Sequence, residues 1–482
     1  MNPTAFELII AAVVVIGIAW LVLKEYYPQA VLTVAGIILY LAAHWISGVP
    51  IIEKSTGFAL LDVFVKLKNI FSYRMGGLGL IIMAVAGFGA YMSHIGASQA
   101  LVRVSTKPVA FINNSWVVLG LAYLIGIFVS LFITSATGLG LMLMVTLYPI
   151  MLGAGISKAS AVGVIATSQA FELGHVQSNV VRASEAIGMT PVNYFVDYQL
   201  LIGAILVIVT MFVHIYWQRR CDIKDGWDPK EHVGLEEEVS DEKANKIMEK
   251  TAPGYYAILP LVPFVMLLLF SKLVFGNPDF LAWMKSTIGI DYTGPAKMNL
   301  TVAMLVSVFL AMVIHGLRER NLKKTATGYK VFLDGMASVF ASVVVLIVAA
   351  QIFATALKDM GAVNALLNFA SGLGIGGMGM IVVSTAFIAM AAFIMGSGVA
   401  SFMSFVEIAP DIASKFAISK ISVMLPMQMG SSIGRSMSPI AAVIVAIAGI
   451  AGLKTTEVVR RTVVPMMVSI VLCIGLTMLF YG

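Results

Sequence analysis

The sequence predicts an all-α polytopic membrane protein, and three observations lead to that fold class. First, 59% of the 482 residues are hydrophobic and 12% are charged, which leaves too little polar surface to cover a water-soluble globule. Second, apolar runs of about 20 residues recur, the length that a helix needs to cross roughly 30 Å of hydrocarbon. Third, the runs are continuous, whereas a membrane barrel would alternate in segments of about ten residues.

The predicted spans follow the apolar runs in chain order. They are about 5–24, 28–47, 76–94, 115–133, 198–217, 255–274, 297–316, 334–357, 376–395, 438–453 and 462–480. The run from Phe6 to Leu23 has no basic region before it and no small-residue cleavage site after it, so it predicts a retained span rather than a signal peptide.

A long hydrophilic stretch, Arg219 to Lys250, separates two apolar halves and mixes both charge signs. We interpret it as a cytoplasmic linker at 218–252, between halves 1–217 and 253–482. Short basic loops such as "HGLRERNLKK" and "KTTEVVRR" mark the same side of the membrane. The net charge of +6 is modest for this length, and this mixed pattern argues against nucleic acid as a partner. Cys221 and Cys473 provide neither a disulfide framework nor a metal cluster.

The halves contain an internal repeat. Ile156-Ser157-Lys158 recurs as Ile418-Ser419-Lys420, 262 residues later, and the same offset carries Ser135 onto Ser397. "HIGASQAL" is echoed by "DMGAVNAL" 265 residues later. With the linker and "KTTEVVRR" both inside, the halves have opposite orientations, which predicts two inverted repeats of the kind found in secondary transporters.

Each half carries two polar, glycine-rich interruptions within apolar sequence: "TSATGLG" (134–140), "TSQAFELGHVQSN" (167–179), "GSGVAS" (396–401) and "GSSIGRSMSP" (430–439). Irregular backbone at membrane depth is tolerated only where protein or water shields it from lipid. We therefore predict re-entrant hairpins and discontinuous helices, whose free N–H groups and dipole ends form an anion site. Carbonyls at the opposite half-helix ends are candidate ligands for Na⁺ as a coupling ion.

Individual side chains sharpen this hypothesis. Arg435 can bind a carboxylate with two parallel hydrogen bonds, unless it forms a structural ion pair, for example with Glu407, or snorkels to an interface. Arg182 and Glu172 either pair with each other or contact substrate, and His175 is either a proton-coupling group or a hydrogen-bonding partner. The candidate substrate-binding residues are Thr134, Ser135, Thr137, Gly138, Ser168, Glu172, His175, Asn179, Gly396, Ser397, Gly398, Ser432, Arg435, Ser436 and Ser438.

Other interpretations remain at this stage. Small residues also permit close helix packing without any ligand. An intramembrane hydrolase using Ser397 or Ser135 with His175 is disfavoured, because Met395 occupies the position two residues before Ser397 where a nucleophile elbow requires glycine. A channel would not need two matched hairpins. No GxxxxGK[ST] motif is present, which argues against ATP drive in this chain.

At these residues the sequence resembles the bacterial anaerobic four-carbon dicarboxylate transporters of the DcuC type, within the ion transporter superfamily. Matching segments include "GFGAYMSHIGAS", "SATGLGLMLMVTLYPIMLGAGIS", "SFVEIAP", "GRSMSP" and "AIAGIAGLKTTEVVRRTVVP". The resemblance implies a multi-pass carrier of the inner membrane, surrounded by lipid, that works as a homodimeric elevator. It also implies transport of fumarate, succinate, malate or aspartate by antiport or cation-coupled symport.

The resemblance places the hairpin tips at Thr134 to Gly138 and Gly396 to Ser401, and the helix breaks near Ser168 to Asn179 and Ser431 to Pro439. Two departures fall on this site. The second tip has Val399 and Ser401 where the family pattern has an amide and a proline, and the first break has "LGHVQSN" with Glu172 added nearby. An amine-bearing ligand, such as an amino acid or small peptide, is therefore the alternative substrate.

Overall fold

The computed structural model describes residues 26–482 apart from 113, 233–251, 271–274 and 294–297, and before residue 26 it describes 13, 14, 17, 21 and 24. Its regular structure over these residues is entirely helical. The predicted first span, 5–24, and most of the predicted linker lie outside the described residues.

The first half contains nine helices within the described ranges. They are α1 (Pro28–Ser47), α2 (Ala59–Arg74), α3 (Leu80–His94), α4 (Ala97–Thr106), α5 (Ser115–Ser130), α6 (Ala136–Gly153), α7 (Lys158–Ala166), α8 (Ser178–Ala186) and α9 (Leu200–Lys224). The turn Pro191–Asn193 and a π turn, Tyr194–Gln199, lead into α9. Because α9 runs to Lys224, it continues past residue 217, where we placed the end of the first half.

The second half begins with a 3₁₀ segment, Gly254–Leu261. It continues with α10 (Val262–Leu269), α11 (Pro278–Ile288), α12 (Leu300–Glu319), α13 (Leu322–Val339), α14 (Val345–Asp359), α15 (Ala362–Gly372), α16 (Gly377–Met395), α17 (Gly398–Phe405), α18 (Ala409–Lys415), α19 (Lys420–Arg435), α20 (Ala442–Ala451) and α21 (Thr455–Tyr481).

Eight of the described helices are long and apolar enough to cross a membrane, as a polytopic protein requires. Two helices begin earlier than predicted: the helix predicted at 76–94 begins at Ala59, and the one predicted at 334–357 begins at Leu322. Their first halves carry Asp62, Lys66 and Lys330, which lower the local hydropathy without interrupting the helix. The segment predicted as one span at 255–274 starts as a 3₁₀ segment, since Pro260 and Pro263 remove two helical N–H donors.

Two long helical rods are interrupted at matching positions. A π turn, Met75–Gly79, joins α2 to α3, and another, Phe340–Val344, joins α13 to α14. The π turns lie 265 residues apart in sequence and contact each other. Such turns insert one extra residue into a helix and are frequent at functional sites.

The described helices pack as two bodies. In body one, residues 28–106 and 254–372, α1 packs on α14 and α3 packs on α12 and α13. In body two, residues 115–224 and 377–481, α16, α17 and α21 pack on α19, while α7 and α20 pack together. The bodies meet where α14 contacts α17 and where α4 contacts α5 and α6. Body two contains all the candidate substrate-binding residues.

Candidate substrate-binding site

Two helical hairpins in body two turn at the predicted tips. The first turns between Ser130 and Ala136, where the Oγ of Ser135 caps α6 by accepting a hydrogen bond from the Gly138 N–H at 3.1 Å. The second turns at Gly396, whose φ is +65°, and the Oγ of Ser397 caps α17 by accepting from the Ala400 N–H at 3.1 Å. The breaks are shorter than predicted, since Gly138 and Ser401 already belong to helices.

The first helix break lies between α7 and α8, over residues 167–177, and is buried throughout. Glutamine side chains of this break bond to the backbone of the first hairpin. The Nε2 of Gln169 donates to the Ile133 carbonyl at 2.8 Å, and the Nε2 of Gln177 donates to the Ser130 carbonyl at 2.7 Å. The break thus satisfies carbonyls of the first hairpin, as buried backbone requires.

The second helix break is later than predicted, because α19 continues through Ser432 to Arg435 before the turn at 436–441. Gly430 and Gly434 had suggested an earlier break, but here they permit close packing. A Cβ at Gly434 would lie 2.2 Å from the carbonyl oxygen of Ala389. Pro439, which has no N–H, lies in the turn that separates α19 from α20.

The two breaks cross each other and share hydrogen bonds. The Nδ2 of Asn179 donates to the Oγ of Ser431 at 3.2 Å, and an Nη of Arg435 donates to the Gln169 carbonyl at 2.9 Å. The Nε2 of Gln199 donates to the Oε1 of Gln428 at 2.9 Å and to the Glu172 carbonyl at 3.2 Å. Gln199, at the end of the π turn, and Gln428, within α19, were not among the predicted site residues, because an isolated glutamine in a helical segment gives no local signal.

Glu172 lies at this crossing in a left-handed backbone conformation, with a φ of +43°. It is 5% exposed, and its carboxylate interacts electrostatically with Arg435. A non-glycine residue at positive φ is costly. This strained, buried acid thus acts on the guanidinium that we predicted as a substrate ligand.

Several buried polar atoms at the crossing have no hydrogen-bond partner among the described residues. They are Glu172 Oε2, His175 Nε2, Asn179 Oδ1, Ser432 Oγ, Arg435 Nε and Ser438 Oγ. All six atoms belong to candidate substrate-binding residues identified from the sequence. Buried polar groups usually find a partner, so these atoms are candidates for contact with a polar ligand.

The second hairpin tip also approaches the crossing. A Cβ at Gly398 would lie 3.1 Å from the Ser431 carbonyl oxygen and 3.2 Å from the Ser432 Cα. A Cβ at Gly396 would lie 3.0 Å from the Ile440 side chain. Glycine is required at this tip because the backbones come into direct contact.

Four of the candidate residues line two separate crevices. Ser168 and Arg435 line one crevice with Ala136, Leu139 and Gly140 of α6. Thr134 and His175 line another with Phe88 and Phe264 of body one, and the His175 ring stacks on Phe264 with 5.0 Å between centroids. His175 therefore faces the contact between the bodies. Ser436 donates to the Ser432 carbonyl at 2.9 Å, and Thr137 lies half-buried in the first turn of α6.

The ion pairs differ from both pairings considered above. Arg182 does not pair with Glu172; its Nη1 contacts the Oε2 of Glu185 at 2.8 Å, and its Nη2 contacts Glu407. Glu407 also pairs with Arg74 at 3.2 Å. Arg435 is consequently left without Glu407, and Glu172 is the acid whose charge acts on it.

Buried helix breaks, capped hairpin tips and a shielded arginine define the class of protein as a polytopic membrane carrier. The chain belongs to the DcuC family, described as the C4-dicarboxylate anaerobic carriers, whose model matches residues 6–482. This membership confirms the resemblance found from sequence, and it confirms the expectation of a carrier rather than an enzyme.

Similar proteins cover almost the whole chain. The anaerobic C4-dicarboxylate transporter DcuC of Escherichia coli K12 is 34% identical over 98% of this chain and 96% of its own length. The probable DcuC of Vibrio cholerae is 34% identical over 99% and 98%. These bacterial relatives and the eight apolar helices confirm a multi-pass protein of the inner membrane.

Two solved structures have a similar fold at low sequence identity. The YdaH transporter of Alcanivorax borkumensis matches with a TM-score of 0.63 and 13% identity, covering 94% of this chain and 98% of its own. MtrF of Neisseria gonorrhoeae matches with a TM-score of 0.59 and 12% identity, covering 95% of both chains.

Proposed function

We propose that the chain is a secondary transporter of small C4-dicarboxylates, working by antiport or by symport with a cation. One observation carries this proposal: at the crossing of the two helix breaks, buried polar atoms lack a hydrogen-bond partner among the described residues, and the Arg435 Nε is one of them. A carboxylate bound through the Arg435 Nε–H and one Nη–H would satisfy that guanidinium with parallel hydrogen bonds. The names of the E. coli and V. cholerae relatives support this substrate class.

The second carboxylate of the ligand requires other donors. The N-terminus of α6 faces the crevice that Arg435 lines, and the N-terminus of α17 lies against Ser432. Helix N-termini present free N–H groups and a positive dipole end. We propose that one of these termini holds the second carboxylate, which favours a ligand with an anionic group at each end.

Inverted repeats are part of the proposal, and recurring elements support them. The rod Ala59–His94 corresponds to the rod from Leu322 to Asp359, and each half then has a short helix, a hairpin, a broken helix and a long helix. We propose that the halves lie in opposite orientations, so that the two breaks meet near the bilayer midplane.

The division into two bodies supports an elevator movement. We propose that body two carries the ligand across the membrane while body one stays fixed in lipid, as one protomer of a homodimer. Backbone carbonyls and hydroxyls at the breaks are the proposed ligands for any coupling Na⁺. The described residues contain no group of three His, Cys, Asp or Glu side chains that could hold a metal ion.

An amine-bearing substrate, such as an amino acid or small peptide, is the second candidate. It is favoured by the carboxylate of Glu172, which has a free Oε2 and lies close to Arg435. A zwitterionic ligand would place its carboxylate on Arg435 and its ammonium group on Glu172. A plain dicarboxylate would leave Glu172 without this role.

The test is counterflow into proteoliposomes that contain the purified protein and unlabelled fumarate, with labelled succinate or aspartate outside. We expect saturable uptake, and Arg435→Gln should reduce succinate affinity about 10- to 100-fold, the equivalent of losing a charged hydrogen bond worth roughly 1.5–3 kcal/mol. The exposed Arg219→Gln is the matched control and should transport normally.

The outcomes separate the two candidates. Unchanged succinate affinity in Arg435→Gln would remove Arg435 from the site. If Glu172→Gln lowers aspartate uptake relative to succinate, the amine-bearing substrate is supported. Equal uptake of both ligands in this variant counts against that alternative, and flux that shows neither saturation nor counterflow would indicate a channel.

A further inference from the structure

A second cavity, with charged groups in its wall, lies outside the site described above. It belongs to body one, has a volume of about 640 Å³, and is lined by Lys54, Lys66, Arg74, Glu53, Asn69 and Gln351 together with three aliphatic side chains and Tyr73. Three of its lining side chains are cationic and one is anionic. The cavity therefore favours a small anion.

Arg74 connects this cavity to body two. Its Nη1 contacts the Oε1 of Glu185 at 2.5 Å and its Nη2 contacts the Oε1 of Glu407 at 3.2 Å, while Gln351 of body one accepts a further hydrogen bond from Nη2. Arg74 is 8% exposed, and its buried Nε has no hydrogen-bond partner among the described residues. The Nε–H of Arg74 is thus an unused donor on a guanidinium group whose geometry suits carboxylates.

The two glutamates that pair with Arg74 also pair with a second arginine. Arg182 also pairs with both Glu185 and Glu407, so two arginines and two glutamates form a balanced cluster. If a ligand carboxylate replaced Glu185 and Glu407 as the partner of Arg74, these two glutamates would still be neutralised in part by Arg182. An exchange of partners at Arg74 avoids leaving a lone buried charge, which is the costly outcome.

We propose that this cavity is a second, outer binding site for a dicarboxylate dianion, with Arg74 as its main ligand. One carboxylate binds the Nε edge of Arg74 in competition with Glu185 and Glu407, while Lys54 and Lys66 attract the other. Occupancy of the outer site thereby weakens the contact between the bodies. The inference rests on the proposed function for its substrate class.

The first experiment is calorimetric titration of succinate into the purified protein in nanodiscs of zwitterionic lipid. Wild type should bind two succinates per chain, whereas Arg74→Gln and Arg435→Gln should each bind one. Lys66→Gln should weaken the outer site about three- to tenfold. Lys68→Gln is the matched control, because Lys68 is exposed and does not line the cavity, and it should change neither site.

A second measurement does not depend on the stability of the Arg74 variant. Asn69→Cys places a thiol in the cavity wall, and the native Cys221 and Cys473 are buried. We expect succinate to slow labelling of this thiol by a charged methanethiosulfonate at least threefold, and to do so equally when Arg435→Gln is added.

The outcomes distinguish the two proposals. Binding of one succinate, abolished by Arg435→Gln and without protection of the thiol, would overturn the outer site and leave the proposed function standing. Binding of no dicarboxylate would overturn both. Protection of the thiol by anionic lipid but not by succinate would reassign the cavity to a lipid headgroup and overturn the outer site.

Discussion

At the scale of single residues, Glu172 combines backbone strain with an incompletely satisfied side chain. Its φ of +43° places a residue with a Cβ where glycine is favoured, and a left-handed conformation costs a non-glycine residue roughly 1–2 kcal/mol. Its side chain is buried and interacts electrostatically with Arg435. A residue that is strained and yet carries a buried acid is better explained by ligand binding than by stability.

We expect Glu172→Gly to separate these two contributions. The glycine relieves the backbone strain, so the variant should be more thermally stable than Glu172→Gln, which keeps the strain and the side-chain volume. Both variants lose the carboxylate and should therefore share the same altered preference between aspartate and succinate. Thermal denaturation of the purified proteins and paired uptake assays measure the two effects. A glycine variant less stable than the glutamine variant would show that the lost side-chain packing outweighs any relief of strain, against this expectation.

The sequence revealed the charged members of the site more readily than the neutral ones. Arg435 and Glu172 are conspicuous because charges are rare between apolar runs. Gln199 and Gln428 are equally central, since they connect the two breaks, but each lies where a helix would tolerate glutamine. For Ser135 the sequence predicted substrate binding but not helix capping. Its hydroxyl oxygen caps α6 by accepting a hydrogen bond from the Gly138 N–H.

At the scale of helices, close packing between α16 and α19 positions Arg435. The position next to Arg435 must be glycine, because a Cβ at Gly434 would lie 2.2 Å from the Ala389 carbonyl oxygen. The Ala389 carbonyl oxygen belongs to the backbone of α16, so it could not move aside as the end of a flexible side chain would. The end of α19, and Arg435 with it, is therefore fixed by α16.

Gly434→Ala should push α16 and α19 apart. We expect a loss of about 1–3 kcal/mol of stability, typical of an overpacked core, and at least a tenfold fall in succinate uptake as Arg435 shifts. Gly449→Ala in α20 is the control, because nothing lies within 4 Å of its added Cβ, and alanine favours a helix. Thermal denaturation and counterflow report both effects. Equal behaviour of the two variants would contradict a tight contact at Gly434.

Helix positions were predictable from sequence where hydropathy alone decides them. α1 and α16 match their predicted spans almost residue for residue. The amphipathic starts of α2 and α13 were not predicted as part of a span, since their charged residues reduce the average over a window. The short helices α7 and α8 depend on the glutamine contacts around their break, and such long-range hydrogen bonds leave no periodic pattern in the sequence.

At the scale of the whole molecule, ion pairs between described residues connect the two bodies at two places. Arg74 of body one contacts Glu185 and Glu407 of body two. Lys358 of α14 contacts Asp411 of α18 at 2.9 Å, with their side chains 40% and 28% exposed. Partly exposed pairs contribute little to stability, so the pair Lys358–Asp411 can separate at small cost if body two moves.

This pair provides a test of the proposed elevator movement. Lys358→Cys with Asp411→Cys, bridged by a short bifunctional methanethiosulfonate, should abolish succinate counterflow, because body two can no longer slide past body one, and reduction should restore it. The control is Lys285→Cys with Asp291→Cys, an exposed pair 2.6 Å apart within body one, where the same bridge should leave transport intact. Undiminished counterflow across a complete bridge between the bodies would mean that the ligand crosses without relative movement of α14 and α18. Single-cysteine variants treated with the same reagent show whether modification alone inhibits, so any additional loss in the bridged protein measures the movement itself.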